Sequence, residues 1–479
     1  MPRLVADPTT DELVAGFGRV RAEFGVADAF PAEVVAEAVA ARVLVDARRD
    51  RTDLALVTID PLGSRDLDQA FTAERQGSGY RVWYAVADVA VFVAPGGAVD
   101  EEAHARGVTV YSPDRRSPLY PEVLGEGAAS LLPGDSHPVV LWRIDLDAEG
   151  RTAAVDVTRA TVRSRAALSY DEVQAALDGG TADDPLRLLR DIGRRRQAIE
   201  EERGGISLTL PDQQIVGGPG GYQLAYRTPL PVEDWNAQIS LLTGIEAARI
   251  MLAGGIGILR TLPPLRHDTR TAIRRSARTL GFEWPKRLGY AAFMRQVDRA
   301  SPAGAALVHQ AARAFRGAGY LALHGTSPKA HDVEHATVAA PYAHVTAPLR
   351  RLADRVANEI VLALAAGAEP PEWAVAALSE LPRVMGQSQQ RQHSVAAAQV
   401  DFMEAMVLRS RVGDVFTAVV TDVDDRGGVI QLREPAVLAR IAPDGWSLGD
   451  EIEVRLRRAD PDAREVLFER AAGSVAADG

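Results

Sequence analysis

Residues 58–71 read TIDPLGSRDLDQAF, an extended segment that enters a turn at PLGS and leaves it as a second extended segment. Residues two positions apart in an extended chain share a face, so Asp66 and Asp68 are predicted to point the same way. Asp60 lies across the turn and can fold back toward them. Three carboxylates brought together repel one another unless a cation neutralises them, and hard divalent cations prefer carboxylate oxygens. We therefore predict that this stretch forms a metal site.

The alternative for each aspartate is a turn residue whose carboxylate caps the backbone. For a single aspartate that interpretation would be favoured, but three within nine residues of an apolar segment favour the metal. The expected ion is Mg²⁺, with Mn²⁺ as the alternative, and a carboxylate-held Mg²⁺ most often serves phosphoryl chemistry. This narrows the class to nucleases, phosphatases and polymerases without choosing among them.

The composition of the 479-residue chain is that of a globular protein, with 47% hydrophobic and 25% charged residues, and its length favours two or three domains. It contains no cysteine, so a metal must be held by oxygen or imidazole ligands.

The net charge of −11 argues only weakly against binding of nucleic acid, because a local basic surface is enough for binding. The sequence shows neither a signal peptide nor an apolar run near the roughly 18 residues of a membrane span, so a cytoplasmic protein is expected.

The element patterns divide the chain into three regions and predict an α+β fold. Residues 1–50 form a small helical unit, which is either a helix-turn-helix that touches nucleic acid or a brace on the main body, the brace being favoured. Residues 51–408 combine short strands with long helices and predict a mixed sheet surrounded by helices. Residues 412–474 contain five short alternating strands, typical of an OB barrel, which commonly binds single-stranded nucleic acid.

Residues 58–71 resemble the acidic signature of the RNB exoribonucleases, the family of ribonuclease II and ribonuclease R, which is written D-x5-D-x-D-D. The likeness continues through residues 86–124, which begin VADVAVFVAPGG and include VYSPDRRSPLYP. It resumes at RGGISLTLP, residues 203–211, and at YAHVTAPLRRLAD, residues 342–354, which is similar to the family's YxHxTSPIRRYxD. The C-terminal module is similar to the S-one-type domain of these enzymes. The resemblance covers roughly residues 30–475 and implies the catalytic domain and the activity of that family.

By position, the resemblance implies that Asp60 and Asp66 bind the metal and that Asp68 both binds it and takes part in catalysis. Gln69 stands at the family's fourth acidic position. Its amide oxygen can still coordinate a metal but carries no negative charge, which weakens the expectation of a second metal ion.

Thr346 and Pro348 are typical helix-start residues, so Arg350 is predicted in the first helical turn, where backbone N–H groups favour an anion. From spacing alone, a surface salt bridge between Arg350 and Asp354 is the preferred interpretation. The resemblance implies instead that Arg350 is catalytic and contacts the reacting phosphate of RNA. It also implies that Arg351 contacts RNA.

Tyr111, in VTVYSPDRR, would ordinarily be interpreted as a strand aromatic packed in a core. The resemblance implies that it lies against the 3′-terminal nucleotide, where stacking on an aromatic ring stabilises a base by about 1 to 3 kcal/mol. Tyr111 is therefore expected to bind RNA and to influence the length of the final product.

Several positions depart from the family pattern. Ala237 and Gln238 stand where an acidic pair is expected, and Ile256 or a neighbour occupies an expected aromatic clamp position. The glutamate expected before the barrel is replaced within residues 396–399. Family members usually carry two cold-shock domains ahead of the catalytic region, and residues 1–50 cannot contain them. A variant without those domains is therefore expected, with a channel mouth open enough to act into structured RNA.

The sequence thus predicts a Mg²⁺-dependent enzyme that hydrolyses single-stranded RNA from the 3′ end to nucleoside 5′-monophosphates and a short end product, acting as a monomer. RNA with a 3′ overhang is a further expected substrate. The first alternative is an RNB-like RNA-binding protein with weakened catalysis, which Gln69 and the missing glutamates favour. The second is a small-molecule phosphatase, which leaves the barrel unexplained.

Overall fold

The computed structural model describes residues 3–4, 10–43, 48–206, 212–218, 221–227, 229–298, 301, 303–304, 306–308, 311, 315, 317–325, 328–425, 427–432 and 434–471. Parts of the predicted N-terminal unit, of the RGGISLTLP motif and of the C-terminal end of the predicted barrel region lie outside these residues. Among the described residues, no helix is both long enough and apolar enough to cross a membrane.

In the described residues the helices are α1 (Asp11–Glu23), α2 (Ala32–Ala40), α3 (Ala98–Arg106), α4 (Tyr170–Asp178), α5 (Asp184–Glu202), α6 (Pro231–Gly254), α7 (His267–Thr279), α8 (Tyr290–Gln296), α9 (Ala330–Val333), α10 (Leu352–Ala365), α11 (Glu372–Ala377) and α12 (Leu381–Leu408). Shorter helical turns are Val89–Val91, Leu124–Ala128 and Arg409–Arg411. The strands are β1 (Arg3–Leu4), β2 (Arg49–Asp50), β3 (Val57–Asp60), β4 (Gln69–Gln76), β5 (Gly79–Ala87), β6 (Val110–Tyr111), β7 (Arg116–Ser117), β8 (Ser136–Leu146), β9 (Thr152–Arg163), β10 (Ala166–Ser169), β11 (Asp212–Gly218), β12 (Gly221–Arg227), β13 (Ile256–Thr261), β14 (Gly319–His324), β15 (Glu334–His335), β16 (Ala340–Pro341), β17 (Val415–Asp424), β18 (Gly427–Leu432), β19 (Leu438–Ile441), β20 (Glu451–Asp460) and β21 (Glu465–Arg470).

A seven-stranded sheet in the order β10-β3-β4-β5-β8-β9-β2 lies at the centre of the largest region. Its inner strands pair antiparallel, whereas β10 pairs with β3, and β2 with β9, in parallel. Strand β8 is buried along nearly its whole length, which matches its almost continuous apolar sequence. Trp142 on β8 lies opposite Tyr84 on β5, and both are fully buried.

The connection between β3 and β4 carries the three aspartates to one end of this sheet, because β3 ends at Asp60 and β4 begins at Gln69. Leu67, in this connection, is held through both of its backbone polar groups. Its N–H donates to Ser130 Oγ at 3.0 Å, and its carbonyl accepts the N–H of Leu131 at 3.0 Å. The Leu67 side chain is 2% exposed, so the connection is fixed to the core.

A second segment, residues 342–351, runs beside the aspartates and is supported by the long helix α6. The Gly244 carbonyl on α6 accepts the N–H of Ala343 at 3.0 Å. A β-carbon at Gly244 would lie 2.2 Å from Tyr342 Cε2 and 2.5 Å from the Ala343 carbonyl oxygen. Glycine therefore permits the close approach of this segment to α6.

The two N-terminal helices pack on different parts of the protein. On α1, Leu13 and Phe17 are buried in a cluster with Phe402 of α12 and the apolar residues of the barrel. On α2, Val34 and Ala38 join the core that surrounds the central sheet.

Strands β17 to β21 close into a five-stranded barrel in the order β17-β18-β19-β21-β20. Its interior is filled by fully buried apolar side chains, among them Val420, Ile430, Val454 and Leu456. The predicted α+β fold, with a mixed sheet, surrounding helices and a five-stranded OB-type barrel, is confirmed.

We expect Gly244→Ala to lower the free energy of unfolding by about 1 to 3 kcal/mol, because the added methyl group overlaps the segment that α6 supports. The matched control is Gly386→Ala on α12, where no atom lies within 4 Å of the added methyl group. That change should raise the free energy of unfolding by about 0.5 to 1 kcal/mol. Urea denaturation measures both, and equal stabilisation by the two substitutions would contradict this packing.

Candidate functional site

The three aspartates of the β3–β4 connection share one partly enclosed region. Asp68 is buried, whereas Asp60 and Asp66 are half-buried. They are close enough for the charge of Asp66 to raise the pKa of both other carboxyls. Within the part of the chain that the structure describes, no three acidic or histidine side chains are near enough to hold a metal by themselves.

Asp68 is fixed by residues from segment 342–351. Its Oδ1 accepts the backbone N–H of Leu349 at 2.8 Å, and its Oδ2 accepts Arg350 Nε at 3.3 Å. Burial raises the pKa of Asp68 to about 8, although Arg350 and the Leu349 N–H act in the opposite direction. The carboxyl group therefore has one orientation, and its surroundings compensate the charge of its ionised form only in part.

Asp66 is held by a short hairpin formed by β6 and β7, in which Tyr111 pairs with Arg116. The Tyr111 hydroxyl donates to Asp66 Oδ2 at 2.9 Å, and Arg116 Nη1 donates to Asp66 Oδ1 at 2.7 Å. Arg116 Nη2 also lies 2.6 Å from Glu126 Oε2. Arg116 was not predicted as a site residue. Its position in the DRR sequence, shortly after Tyr111, is the feature of the sequence that could have indicated it.

Asp60 differs from the other two aspartates because, among the described residues, no hydrogen bond reaches its carboxylate. Burial, followed by the neighbouring charge of Asp66, raises the pKa of Asp60 to about 6, with Arg350 acting in the opposite direction. Its oxygen lone pairs are therefore available to a cation.

Gln69 uses its side-chain amide to join the central sheet to segment 342–351. The Nε2 group donates to the Thr346 carbonyl, and Oε1 accepts the Tyr84 hydroxyl at 3.2 Å. Ser240 on α6 adds a hydrogen bond of 2.7 Å to the Thr346 hydroxyl. Tyr84 and Ser240 were not predicted, and they have no local sequence pattern that would have indicated them. Metal binding by Gln69 stays a prediction, and in this geometry its amide has a structural partner at each end.

The predicted position of Arg350 in the first turn of a helix is wrong. Helix α10 begins at Leu352, and Arg351 before it is extended, with φ −141° and ψ 123°. The reason is a backbone contact from a distant segment, because Arg351 forms a β-bridge with Val108 and the Arg350 carbonyl accepts the N–H of Thr109 at 3.0 Å. Arg350 thus precedes the helix.

The alternative salt bridge between Arg350 and Asp354 is also replaced by another pairing. Arg351 binds Asp354 through Nη2 at 2.8 Å and Nε at 2.9 Å, and Asp354 is fully buried. Arg350 lies on Asp68 instead, and 41% of its side chain is exposed. Its remaining N–H groups can therefore reach an anion from solvent.

Burial acts to lower the pKa of Arg351, but the charge and hydrogen bonds of Asp354, with smaller contributions from the half-buried Tyr320 and Tyr342, raise it. The Tyr320 hydroxyl lies 2.7 Å from His344 Nδ1. Burial, together with the nearby cations of Arg351 and Arg260, holds the pKa of His344 well below its usual value. His344 is therefore neutral, and contact of Arg351 with RNA stays a prediction.

The residues present fit a hard divalent cation. Burial raises the pKa of Asp60 and of Asp68, because the ionised form of each is compensated only in part, and among the described residues no hydrogen bond reaches the Asp60 carboxylate. Asp60, Asp66 and Asp68 are not near enough to hold such an ion by themselves, so they would share it with water and substrate phosphate, which usually complete the shell of Mg²⁺. Arg116 is the competing cation, because it already occupies one oxygen of Asp66.

Comparisons with known proteins identify the family of the chain. The model of the RNB domain matches residues 48–367, and that of the RNase II-type exonuclease C-terminal S1 domain matches residues 414–471. Ribonuclease R of Aquifex aeolicus is 25% identical over 463 residues, which are 88% of this chain and 64% of that protein. Ribonuclease R of Escherichia coli is 25% identical over 496 residues, covering 91% of this chain and 58% of that protein. The chain thus spans about three-fifths of the length of these relatives.

Solved structures show the same fold. Mycoplasma genitalium RNase R in its apo form has a TM-score of 0.86 at 18% identity, covering 96% of this chain and 78% of that one. Yeast Ssd1, described as a pseudonuclease, has a TM-score of 0.67 at 16% identity, covering 87% of this chain and 53% of that one.

In metal-free protein at pH 8, we expect Asp60→Asn to raise the free energy of unfolding by about 1 to 3 kcal/mol. The native state keeps the Asp60 proton up to a pKa of about 6, whereas the ordinary pKa of an aspartate carboxyl is 3.8. The cost of burying the ionised group therefore appears as pH rises from about 4 to about 6, and the advantage of the variant should vanish at pH 4.

Urea denaturation with EDTA at both pH values measures this difference. The control is Asp268→Asn, an exposed carboxyl whose pKa is lowered by the N–H of Thr269, which should give no stabilisation at pH 8. A wild-type protein as stable as Asp60→Asn at pH 8 would contradict the assignment of an uncompensated charge.

We expect Arg116→Gln to tighten Mn²⁺ binding about tenfold, because removing the guanidinium frees Asp66 and leaves the cluster more negative. Calorimetric titration without RNA measures the dissociation constant. The matched control is Arg115→Gln, since the neighbouring Arg115 lies 3.7 Å from Asp28 and from Asp114 and is 47% exposed. Weaker Mn²⁺ binding by Arg116→Gln than by the wild type would count against this competition.

Proposed function

Because the chain belongs to the RNB family, we propose that it is an exoribonuclease that hydrolyses single-stranded RNA from the 3′ end with Mg²⁺. The products are nucleoside 5′-monophosphates and a short end product. The observation that supports this proposal is that Asp60, Asp66 and Asp68 lie close to the half-exposed Arg350. Residues 51–408 would supply catalysis, and residues 412–474 would bind RNA in part through the barrel.

Arg350 binds and orients the phosphodiester that is cleaved. Its Nε is held by Asp68 at 3.3 Å, so the guanidinium is fixed before RNA arrives, while the exposed N–H groups remain available to phosphate oxygens. Charge-assisted hydrogen bonds of this kind strengthen as negative charge grows on the phosphate in the transition state. A fixed donor needs no rearrangement at that moment.

The three aspartates orient the attacking water and the phosphate relative to Arg350. When bound, a divalent cation polarises a phosphate oxygen and lowers the pKa of water. Asp68 keeps its orientation through the Leu349 N–H, and Asp60 offers oxygens that carry no hydrogen bond among the described residues. This arrangement holds the reactants at short range, which lowers the entropic part of the barrier to hydrolysis.

Tyr111 positions the 3′-terminal nucleotide. Its hydroxyl is held by Asp66 at 2.9 Å, so its ring is fixed beside the carboxylates. A base stacked on that ring would bring the adjacent phosphodiester toward Asp68 and Arg350. Stacking is tolerant of base identity, which suits degradation without sequence preference.

An RNA-binding protein with weakened catalysis is the second candidate function. The observation that favours it is Gln69, whose amide is bonded to Thr346 and Tyr84 and brings no charge to the site. Binding would then persist without appreciable turnover, whereas the first function requires both.

A 5′-labelled oligoadenylate incubated with purified protein and Mg²⁺ distinguishes the two functions. We expect a short labelled end product and release of adenosine 5′-monophosphate by the wild type. Asp68→Asn should lower kcat roughly 10³-fold, because it removes the charge of a fixed carboxylate, while RNA affinity measured with EDTA stays within about threefold. The control Arg383→Ala, an exposed partner of Glu380, should match the wild type.

Intact RNA after prolonged incubation with wild type, combined with tight binding, would favour the second function. Undiminished cleavage by Asp68→Asn would remove the catalytic assignment of that residue.

A further inference from the structure

We propose that Arg21, on α1, is a positioning residue that fixes the hairpin carrying Tyr111 and Arg116. We call residues 110–117 the Tyr111 hairpin. The effect of Arg21 on the hairpin can be measured without RNA. Its effect on turnover rests on the exoribonuclease function proposed above.

Arg21 is a buried arginine whose guanidinium is fully engaged by two aspartates. Its side chain is 1% exposed. Nη1 and Nη2 donate to the two oxygens of Asp114 at 2.7 and 3.0 Å, and Nε donates to Asp28 at 2.9 Å. Asp114 is itself only 3% exposed. A buried two-pronged pair of this kind has strict geometry, and loss of one partner leaves the other charge buried and unpaired.

Asp114 lies in the turn of the Tyr111 hairpin, between the two residues that contact Asp66. Each strand of the hairpin, β6 and β7, is only two residues long. So short a pair of strands is not stable by itself, and its orientation depends on outside contacts. The contact of Arg21 with Asp114 therefore bears on where Tyr111 and Arg116 lie.

Helix α12 holds the other side of the hairpin region. Gln392 Nε2 donates to the Thr109 carbonyl at 3.1 Å, and Gln399 Nε2 donates to Ser112 Oγ at 2.6 Å. These bonds end at Ser112, and Asp114, further along the turn, contacts Arg21 of α1. There Arg115 approaches Asp114 only to 3.7 Å. Arg21 thus makes the short contacts to the turn.

Helix α1 is in turn anchored on the barrel side of the molecule. Phe17 packs edge-on against Phe402 of α12 at 5.4 Å between ring centres. Glu23 pairs with Arg464 of the barrel at 2.9 Å. Arg21 therefore joins a helix that rests on α12 and the barrel to the hairpin that holds Asp66. This favours a brace as the role of α1.

A positioning role and a purely stabilising role predict different results. If Arg21 only adds stability, its loss lowers the melting temperature and leaves the geometry at Asp66 unchanged. If it positions the hairpin, its loss loosens residues 110–117 locally and changes how the RNA end is held.

The first test is hydrogen exchange by mass spectrometry on RNA-free protein. We expect Arg21→Gln and Asp114→Asn each to speed exchange of peptides spanning 107–118 about tenfold, with peptides spanning 136–146 unchanged. The matched control is Arg81→Gln, which breaks another two-pronged pair, Arg81 with Asp145 at 2.6 and 3.0 Å, on the central sheet. Unchanged exchange over 107–118 in both variants would overturn the role of Arg21.

The second test uses 5′-labelled oligoadenylate and Mg²⁺. We expect Arg21→Gln to lower kcat about tenfold and to lengthen the end product, with RNA affinity in EDTA nearly unchanged and with Arg81→Gln matching the wild type. The double variant Arg21→Gln/Asp114→Asn should be no worse than either single variant. Additive losses, or an unchanged end product and kcat, would overturn the positioning role. A wild type without turnover would contradict the proposed function, and hydrogen exchange would still decide the role of Arg21.

Discussion

Negative charge held away from water is the constraint on which this structure depends. Burial is the main reason that the pKa of Asp60 is raised to about 6 and that of Asp68 to about 8, and the nearby Asp66 adds to both shifts. Two arginines offset part of the charge, Arg116 at 2.7 Å from Asp66 and Arg350 at 3.3 Å from Asp68. The excess that remains suits the site to a divalent cation and to the phosphate that such a cation binds.

The fold assembles these charges from segments that are far apart in the sequence. The β3–β4 connection supplies the aspartates, the Tyr111 hairpin supplies Arg116, and segment 342–351 supplies Arg350. Each segment is fixed by packing outside the site, such as the close approach of Gly244 to Tyr342 and the pairing of Arg21 with Asp114. The geometry at the carboxylates therefore depends on residues that lie outside the proposed metal and phosphate contacts.

Local sequence patterns correctly predicted the elements that depend on interactions between residues close together in the chain. The alternation and number of C-terminal strands were enough to predict the barrel, and apolar runs were enough to predict a buried mixed sheet. The prediction that a helix begins near Pro348 was wrong, because a β-bridge from Val108 keeps Arg351 extended and the helix begins at Leu352. No local sequence pattern indicates that contact. Arg116 and Arg21 were missed for the same reason, since their aspartate partners lie 50 and 93 positions away along the chain.

Anomalous diffraction from crystals grown with Mn²⁺ and a non-hydrolysable RNA is the most direct test of the central claim. We expect an anomalous peak in contact with carboxylate oxygens of Asp60, Asp66 and Asp68, with the 3′-terminal phosphodiester touching Arg350. An RNA end bound at Arg350 with no peak at the aspartates, and with Arg116 still on Asp66, would contradict it.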